Sequence, residues 1–125
     1  EFYAINQIQD CIAVFVLRQV FNGEASCLRI VDWLGDFSQN VYDEFQKLLI
    51  SKNSEYLDLV CYVQDEKRIL HMGFCKKQSN ELVPNYFEPF EKRNVDIHFA
   101  YKFFNEMQNY AFFKGDSDQD RPNLI

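Results

Sequence analysis

The residues whose types and spacing suit chemistry most directly are carboxylates close to the end of the sequence. Asp116, Asp118 and Asp120 alternate beside Arg121, with almost no hydrophobic residue among them. Carboxylate oxygens suit a cation and a guanidinium suits a phosphate, so this segment is a candidate ion site. The alternative is a solvated loop stopped by Pro122, which the usual behaviour of terminal segments favours. As a calcium loop it is incomplete, because the arginine stands where that loop needs glycine.

Two histidines are candidate bases. His71 falls late in a short helical pattern, and His98 falls on the polar side of an alternating stretch. A histidine without an orienting carboxylate is more often structural than catalytic. Asp96 projects to the same side as His98, which favours His98 over His71.

Two aspartates interrupt stretches that are otherwise apolar. A buried carboxylate is costly unless it is paired, so Asp32 and Asp58 predict either a site or a salt bridge with Arg18 or Arg29. Trp33 beside the first of them suits a sugar, because a sugar ring stacks on an aromatic face. A single tryptophan at a sheet end is more commonly part of the core.

The first third of the chain predicts an antiparallel meander. Strands are expected at residues 2–5, 11–20 and 26–34, with Asn22 and Gly23 supplying the turn between the last two. A helix is expected after Gly35, capped by Asp36 or by Ser38, and continuing to about Lys52. Its buried stripe is Val41, Phe45, Leu48 and Leu49.

The rest of the chain predicts a second set of strands. A strand at residues 56–63 returns parallel to the third strand, because a helix connects the two. A short helix at about 65–72 ends at Gly73, and strands are expected at 74–77, 95–103 and 110–113. The predicted fold class is α/β of the α+β type: one domain over residues 1–125, with a mixed, mostly antiparallel sheet and two helices.

This order of elements, together with the Met72-Gly73-Phe74 run, resembles the C-terminal portion of the GCN5-related N-acetyltransferase (GNAT) fold, without its first strand and first two helices. The tail of the chain and the run from Pro84 to Phe90, Pro-Asn-Tyr-Phe-Glu-Pro-Phe, also resemble the C-terminal part of acetyltransferase-like proteins of bacterial surface-polysaccharide synthesis. The resemblance implies an acyl-CoA, such as acetyl-CoA, as cofactor and a sugar nucleotide or glycan precursor as substrate. A non-catalytic binding or assembly domain that keeps the same fold is the alternative.

The resemblance also assigns roles to residues. In the family, the helix after the third meander strand receives the cofactor pyrophosphate on its N-terminus, where free amides and the helix dipole favour anions. The matching cofactor-binding residues here are Leu34, Gly35, Asp36, Phe37, Ser38, Gln39 and Asn40. Tyr62 matches the position of a general acid for the departing thiolate, and the alternative, which is favoured, is a tyrosine packed at a strand end. His98 is the candidate base because of the face that it shares with Asp96, not because of the resemblance.

Composition limits the partners. A net charge of −6 opposes binding to nucleic acid or an anionic membrane, and no apolar run is long enough to span a bilayer. Four cysteines in or beside apolar runs, without ligand spacing, predict buried thiols in the cytoplasm. The chain begins without methionine, so we expect a C-terminal part of a longer protein that self-associates or needs its missing region.

Overall fold

The computed structural model describes residues 1–7, 10–36, 41–105 and 110–116. Within these residues there are six strands, two α-helices and a 3₁₀ turn, Lys114–Asp116, which we call the final turn. In chain order the strands and helices are β1 Phe2–Gln7, β2 Asp10–Asn22, β3 Ala25–Gly35, α1 Tyr42–Lys52, β4 Tyr56–Leu59, β5 Cys61–Val63, α2 Glu66–His71 and β6 Ala111–Phe113.

The larger sheet has the strand order β1-β2-β3-β4. The first three strands are antiparallel neighbours, and β4 pairs parallel with β3. Gly23 takes a φ of +63° in the β2–β3 turn, a left-handed conformation that favours glycine. The predicted meander, its glycine turn and the parallel return are therefore confirmed.

Helix α1 begins later than the sequence predicts. Its N-cap is Val41, which offers no side-chain hydrogen bond, so the capping box proposed for Asp36 and Gln39 is wrong. The predicted stripe is confirmed: Val41 and Phe45 are buried in the core, and Leu48 and Leu49 pack against it. Tertiary packing of this stripe, rather than a cap, fixes where the helix lies.

The predicted strand at residues 56–63 is divided at Val60. Before the break, β4 pairs with β3 over only four residues, Cys27–Ile30 against Tyr56–Leu59. After the break, β5 pairs antiparallel with β6. The stretch 56–63 therefore changes its pairing partner at Val60, from β3 to β6. The part of β3 after Ile30 has no ladder with β5, so β3 diverges from this stretch there.

Two predicted strands are absent from the described structure. Residues 74–77 and 95–103 form no ladder, and β6 pairs with β5 instead of with the second of them. In 96–102 both alternating sets of side chains are exposed, so the expected half-buried strand is wrong. The alternating pattern separates the two sides of an extended segment. A β-strand also needs a neighbouring backbone with which to pair, and the pattern does not show whether one is present.

The core lies between α1 and one face of the larger sheet. Phe15 and Trp33 stack with ring centroids 5.1 Å apart, and Phe45 meets Phe15 edge-on at 5.9 Å. Trp33 is thus a core residue. All four cysteines are free thiols, and Cys27 is buried, but Cys11 and Cys75 are exposed, which corrects the expectation of four buried thiols. No described helix has the length and apolar character needed to cross a membrane.

Candidate functional site

The loop after β3 is the segment that the sequence assigns to phosphate binding. Gly35 has a φ of +101°, and a side chain there would overlap with the carbonyl group of Ile12. The Asp36 N–H donates to that Ile12 oxygen at 2.9 Å, and the Trp33 indole Nε1–H donates to the Asp36 carbonyl at 3.0 Å. These hydrogen bonds attach the start of the loop to β2 and to Trp33. The Asp36 N–H is therefore not available to bind a phosphate.

The other loop residues differ in how much the structure says of them. Leu34 is 78% exposed at the end of β3, beside the fastened Gly35. The remaining predicted cofactor residues, Phe37, Ser38, Gln39 and Asn40, lie outside the described residues.

The first turn of α1 follows this loop. Its N-cap residue, Val41, makes no side-chain cap hydrogen bond, and the turn carries the exposed carboxylates of Asp43 and Glu44. Helix N-termini attract anions through unpaired amides and the helix dipole, whereas these carboxylates oppose a phosphate. Lys47 lies 3.8 Å from Glu44 and offsets part of that opposition. The helix dipole at this turn therefore favours a phosphate, whereas the two carboxylate side chains repel it.

Tyr62 lies in the middle of β5 on the face directed away from the core. Its partner across the ladder is Phe112, and its ring meets Phe99 at a centroid distance of 5.0 Å. The interaction with the Tyr101 hydroxyl raises the pKa of the Tyr62 phenol above its ordinary value of 10.0. The phenol therefore stays protonated at neutral pH, as a proton donor must.

His98 and Asp96 are both exposed in the segment that forms no strand, so a shared strand face does not bring them together. His98 is the chain neighbour of Phe99, whose ring contacts Tyr62. Among the described contacts, none joins His98 to Tyr62 directly. His71 is the last residue of α2 and is exposed.

A groove of about 490 Å³ runs along β4 and β5, opposite α2 and the segment after it. Cys61 and Tyr62 both line it, and Glu66, Lys76 and Lys77 contribute charge. Burial raises the pKa of the Cys61 thiol from 9.0 to about 11, so it is a poor nucleophile at neutral pH. The groove also contains the exposed thiol of Cys75 and the exposed phenol of Tyr62.

A buried ion pair connects β3 to β4. Arg29 donates from Nε to Asp58 Oδ1 at 3.0 Å and from Nη2 to Oδ2 at 2.5 Å, and both residues are buried. Its remaining donors reach the carbonyl oxygens of Asn85, Tyr86 and Phe87. The predicted pairing of Asp58 is confirmed with Arg29 as the partner, whereas Asp32 is exposed. Burial raises the pKa of Asp58, and Arg29 and Lys114 oppose that rise.

The final turn contains residues that sequence reasoning missed. Lys114 is buried, with Nζ 4.2 Å from the centroid of the Tyr86 ring. A side chain on Gly115 would meet the Val31 carbonyl and the Asp32 side chain, so this backbone lies against the diverging end of β3. The only signal in the sequence is a lysine placed directly after an apolar strand.

The acidic tail is described only as far as Asp116, whose Oδ2 accepts a hydrogen bond from the Phe113 N–H at 2.7 Å. Asp118, Asp120 and Arg121 lie outside the described residues. Within the part of the chain that the structure covers, no group of three or more His, Cys, Asp or Glu residues is arranged to hold a metal ion.

Comparison with known proteins finds no match to a protein-family model, to a curated protein or to a solved structure.

Proposed function

We propose that this chain is an acyltransferase-like domain that uses an acyl-CoA and acts on a sugar nucleotide or a glycan precursor. The observation that carries the proposal is the divergence of β3 from the β4–β5 stretch after a four-residue parallel pairing. Where parallel strands separate, the crevice outside their carboxyl ends is the usual place for a ligand. The proposed ligand position lies outside the carboxyl ends of β3, which ends at Gly35, and of β5, which contains Tyr62.

The residues at this edge fit a CoA in two respects. The N-terminus of α1, with Val41 as its N-cap, lies at this edge, and the positive end of a helix dipole attracts a pyrophosphate. The β3 loop is held in place by the hydrogen bond from Asp36 to Ile12, which fixes the approach to that turn. When bound, an acyl-CoA supplies an activated acyl group. The carboxylates of Asp36, Asp43 and Glu44 repel the phosphates of CoA, so they lower the affinity of the site for CoA.

Tyr62 is the proposed proton donor. Its phenol is protonated at neutral pH, lines the β4–β5 groove and is 44% exposed, so a reacting group has access to it. His98 is the proposed base that receives the proton of the attacking hydroxyl or amine. It sits beside Phe99, within one residue of a ring that touches Tyr62.

The test compares two phenols in different regions. Tyr62→Phe keeps the ring contacts and removes only the hydroxyl, and Tyr3→Phe removes a phenol on β1 whose hydroxyl donates to Glu1, away from the β4–β5 groove. With acetyl-CoA and a panel of nucleotide sugars, thioester consumption should fall about 100-fold for Tyr62→Phe and little for Tyr3→Phe. Calorimetric CoA affinity should be the same in both variants.

A wild-type protein that binds neither CoA nor acetyl-CoA at millimolar concentration would refute the proposal, and so would a Tyr62→Phe variant with unchanged turnover. Replacing Asp43 with Asn provides an independent check on the phosphate position. It should tighten CoA binding by removing a like charge without affecting any ring contact.

A second candidate is a non-catalytic binding or assembly domain on the same scaffold. The observation in its favour is the final turn, where Lys114 is buried and Gly115 lies against Val31 and Asp32. The final turn contacts β3 at Val31 and Asp32, just after the last residue of β3 that pairs with β4. The turn therefore occupies part of the proposed crevice beside β3. Under this candidate, CoA does not bind, and ligand binding to the exposed surface is independent of Asp36 and Asp43.

A further inference from the structure

Six aromatic side chains form one continuous surface, which we term the aromatic face. Its members come from β5, from β6 with the residue before it, and from the segment that forms no strand. They are Tyr62, Phe99, Tyr101, Phe103, Tyr110 and Phe112, with neighbouring centroids between 5.0 and 6.4 Å apart.

This surface is separate from the hydrophobic core. Residues alternate across β5 and β6, so Cys61 and Phe113 point to the core while Tyr62 and Phe112 point away from it. Tyr62, Phe99 and Tyr101 are 44%, 51% and 43% exposed. Large aromatic side chains gathered in one patch and left this open mark a binding surface more often than a packing defect.

The chemistry of the aromatic face limits its ligand. None of its six side chains is charged, so it offers no ionic partner to a phosphate or a carboxylate. Its phenols do offer hydrogen bonds, and the hydroxyls of Tyr101 and Tyr110 are already paired with each other at 3.0 Å. An apolar protein surface would bury these phenols without new partners, which is costly. A neutral sugar ring has apolar C–H faces that can stack on the aromatic side chains, and it has hydroxyls at its edge that can form hydrogen bonds with the phenols.

We infer that the aromatic face is a carbohydrate subsite, in which a neutral pyranose ring stacks on Phe99 and Tyr101 and its hydroxyls bond the phenols. The inference deepens the proposed function and rests on it for the sugar's role as acceptor. Tyr62 belongs both to this face and to the β4–β5 groove. A sugar held here presents a hydroxyl next to the proposed proton donor.

The experiment uses the whole chain and a panel of neutral mono- and disaccharides, with binding followed by saturation-transfer NMR and calorimetry. Tyr101→Ala and Phe99→Ala should each weaken sugar binding about tenfold, since each removes a stacking ring. Phe21→Ala is the matched control. It removes an aromatic side chain that is more exposed than either of these, at the β2–β3 hairpin, and should leave the affinity unchanged.

Each result decides the question. Sugar binding that depends on Tyr101 and Phe99 but not on Phe21 supports the inference, whether or not CoA binds. CoA binding without sugar binding overturns the inference and leaves the proposed function standing. Sugar binding without CoA binding supports the carbohydrate subsite and refutes the proposed acyltransferase function. Self-association or capture of a proline-rich peptide that Tyr101→Ala abolishes, with no sugar binding, overturns the carbohydrate assignment.

Discussion

The larger sheet and the small β5–β6 sheet are stabilised in different ways. The first three strands of the larger sheet are joined by ladders of six and ten residue pairs, and its core residues, such as Leu28 and Ile30, are fully buried. The second has two strands of three residues, and its neighbouring segment is attached by ring contacts rather than by a ladder. A two-stranded sheet alone is only marginally stable. The first region is a scaffold, and the second is a surface whose order depends on side chains.

The largest effect is expected at the ion pair within the scaffold. Arg29→Ala leaves the buried Asp58 carboxylate and three carbonyl groups without their donor, so it should cost about 3–5 kcal/mol of unfolding free energy. Denaturant melts measure this directly. Arg93→Ala is the control, because its pair with Glu91 is on the surface and should matter by less than about 1 kcal/mol. Equal effects of the two arginines would remove the distinction between scaffold and surface.

Adjacent phenylalanines on β6 test the two faces of the small sheet. Phe113 is buried in the core, so Phe113→Ala should cost about 3 kcal/mol, near the lower end for a large aromatic. Phe112 faces outward, so Phe112→Ala should cost clearly less in stability while it weakens sugar binding. The comparison fails if Phe112→Ala destabilises the protein as much as its neighbour does.

Two thiols report on opening of the two regions. Burial raises the pKa of Cys27 in β3 and of Cys61 in β5 from 9.0 to about 11. At about pH 8, iodoacetamide should label the exposed Cys11 and Cys75 first, then Cys61 as the small sheet opens locally, and Cys27 only on global unfolding. Labelling of Cys27 together with Cys61 would mean that the two sheets open as one unit.

The same thiols predict a dependence of stability on pH. Because their pKa values are higher in the folded state, the stability they contribute is complete below pH 9 and is lost as the pH rises from 9 to about 11. Thermal melts across this range should show the fall. In Cys27→Ala the fall should be smaller, and a variant with an unchanged profile would contradict this account.

The smallest effect is expected at the exposed pair between Glu66 of α2 and Lys76, 2.8 Å apart. Lys76→Ala should change the unfolding free energy by less than about 1 kcal/mol, and added salt should remove the difference. A larger, salt-resistant loss would show that this bridge fixes the wall of the β4–β5 groove.

The elements that the sequence predicted well are those with a local cause. The meander follows from apolar alternation and a glycine turn, and α1 follows from a stripe at helical spacing. The strand at 95–103 was wrong because alternation says nothing about whether another backbone lies within reach. Arg18 and Arg29 were equivalent by sequence. The register that places Arg29 opposite Asp58 depends on pairing with β4, and no local pattern encodes it.

The candidate site was predictable to a smaller extent. Tyr62 was identified by its place near the carboxyl end of a strand, but its aromatic neighbours come from segments far along the chain. The burial of Lys114 depends on the final turn lying against β3, which local sequence cannot state. The role of His98 as base stays a prediction, since its exposed segment carries no ladder.

The change of partner at Val60 has a consequence for the order of events during synthesis. Strands β1 to β3 pair with near neighbours, so they can associate as soon as they leave the ribosome. Strand β5 has its partner in β6, which is translated much later. Until then the Tyr62 side of the nascent chain stays open, and this half of the molecule depends most on chaperones or on ligand for protection from aggregation.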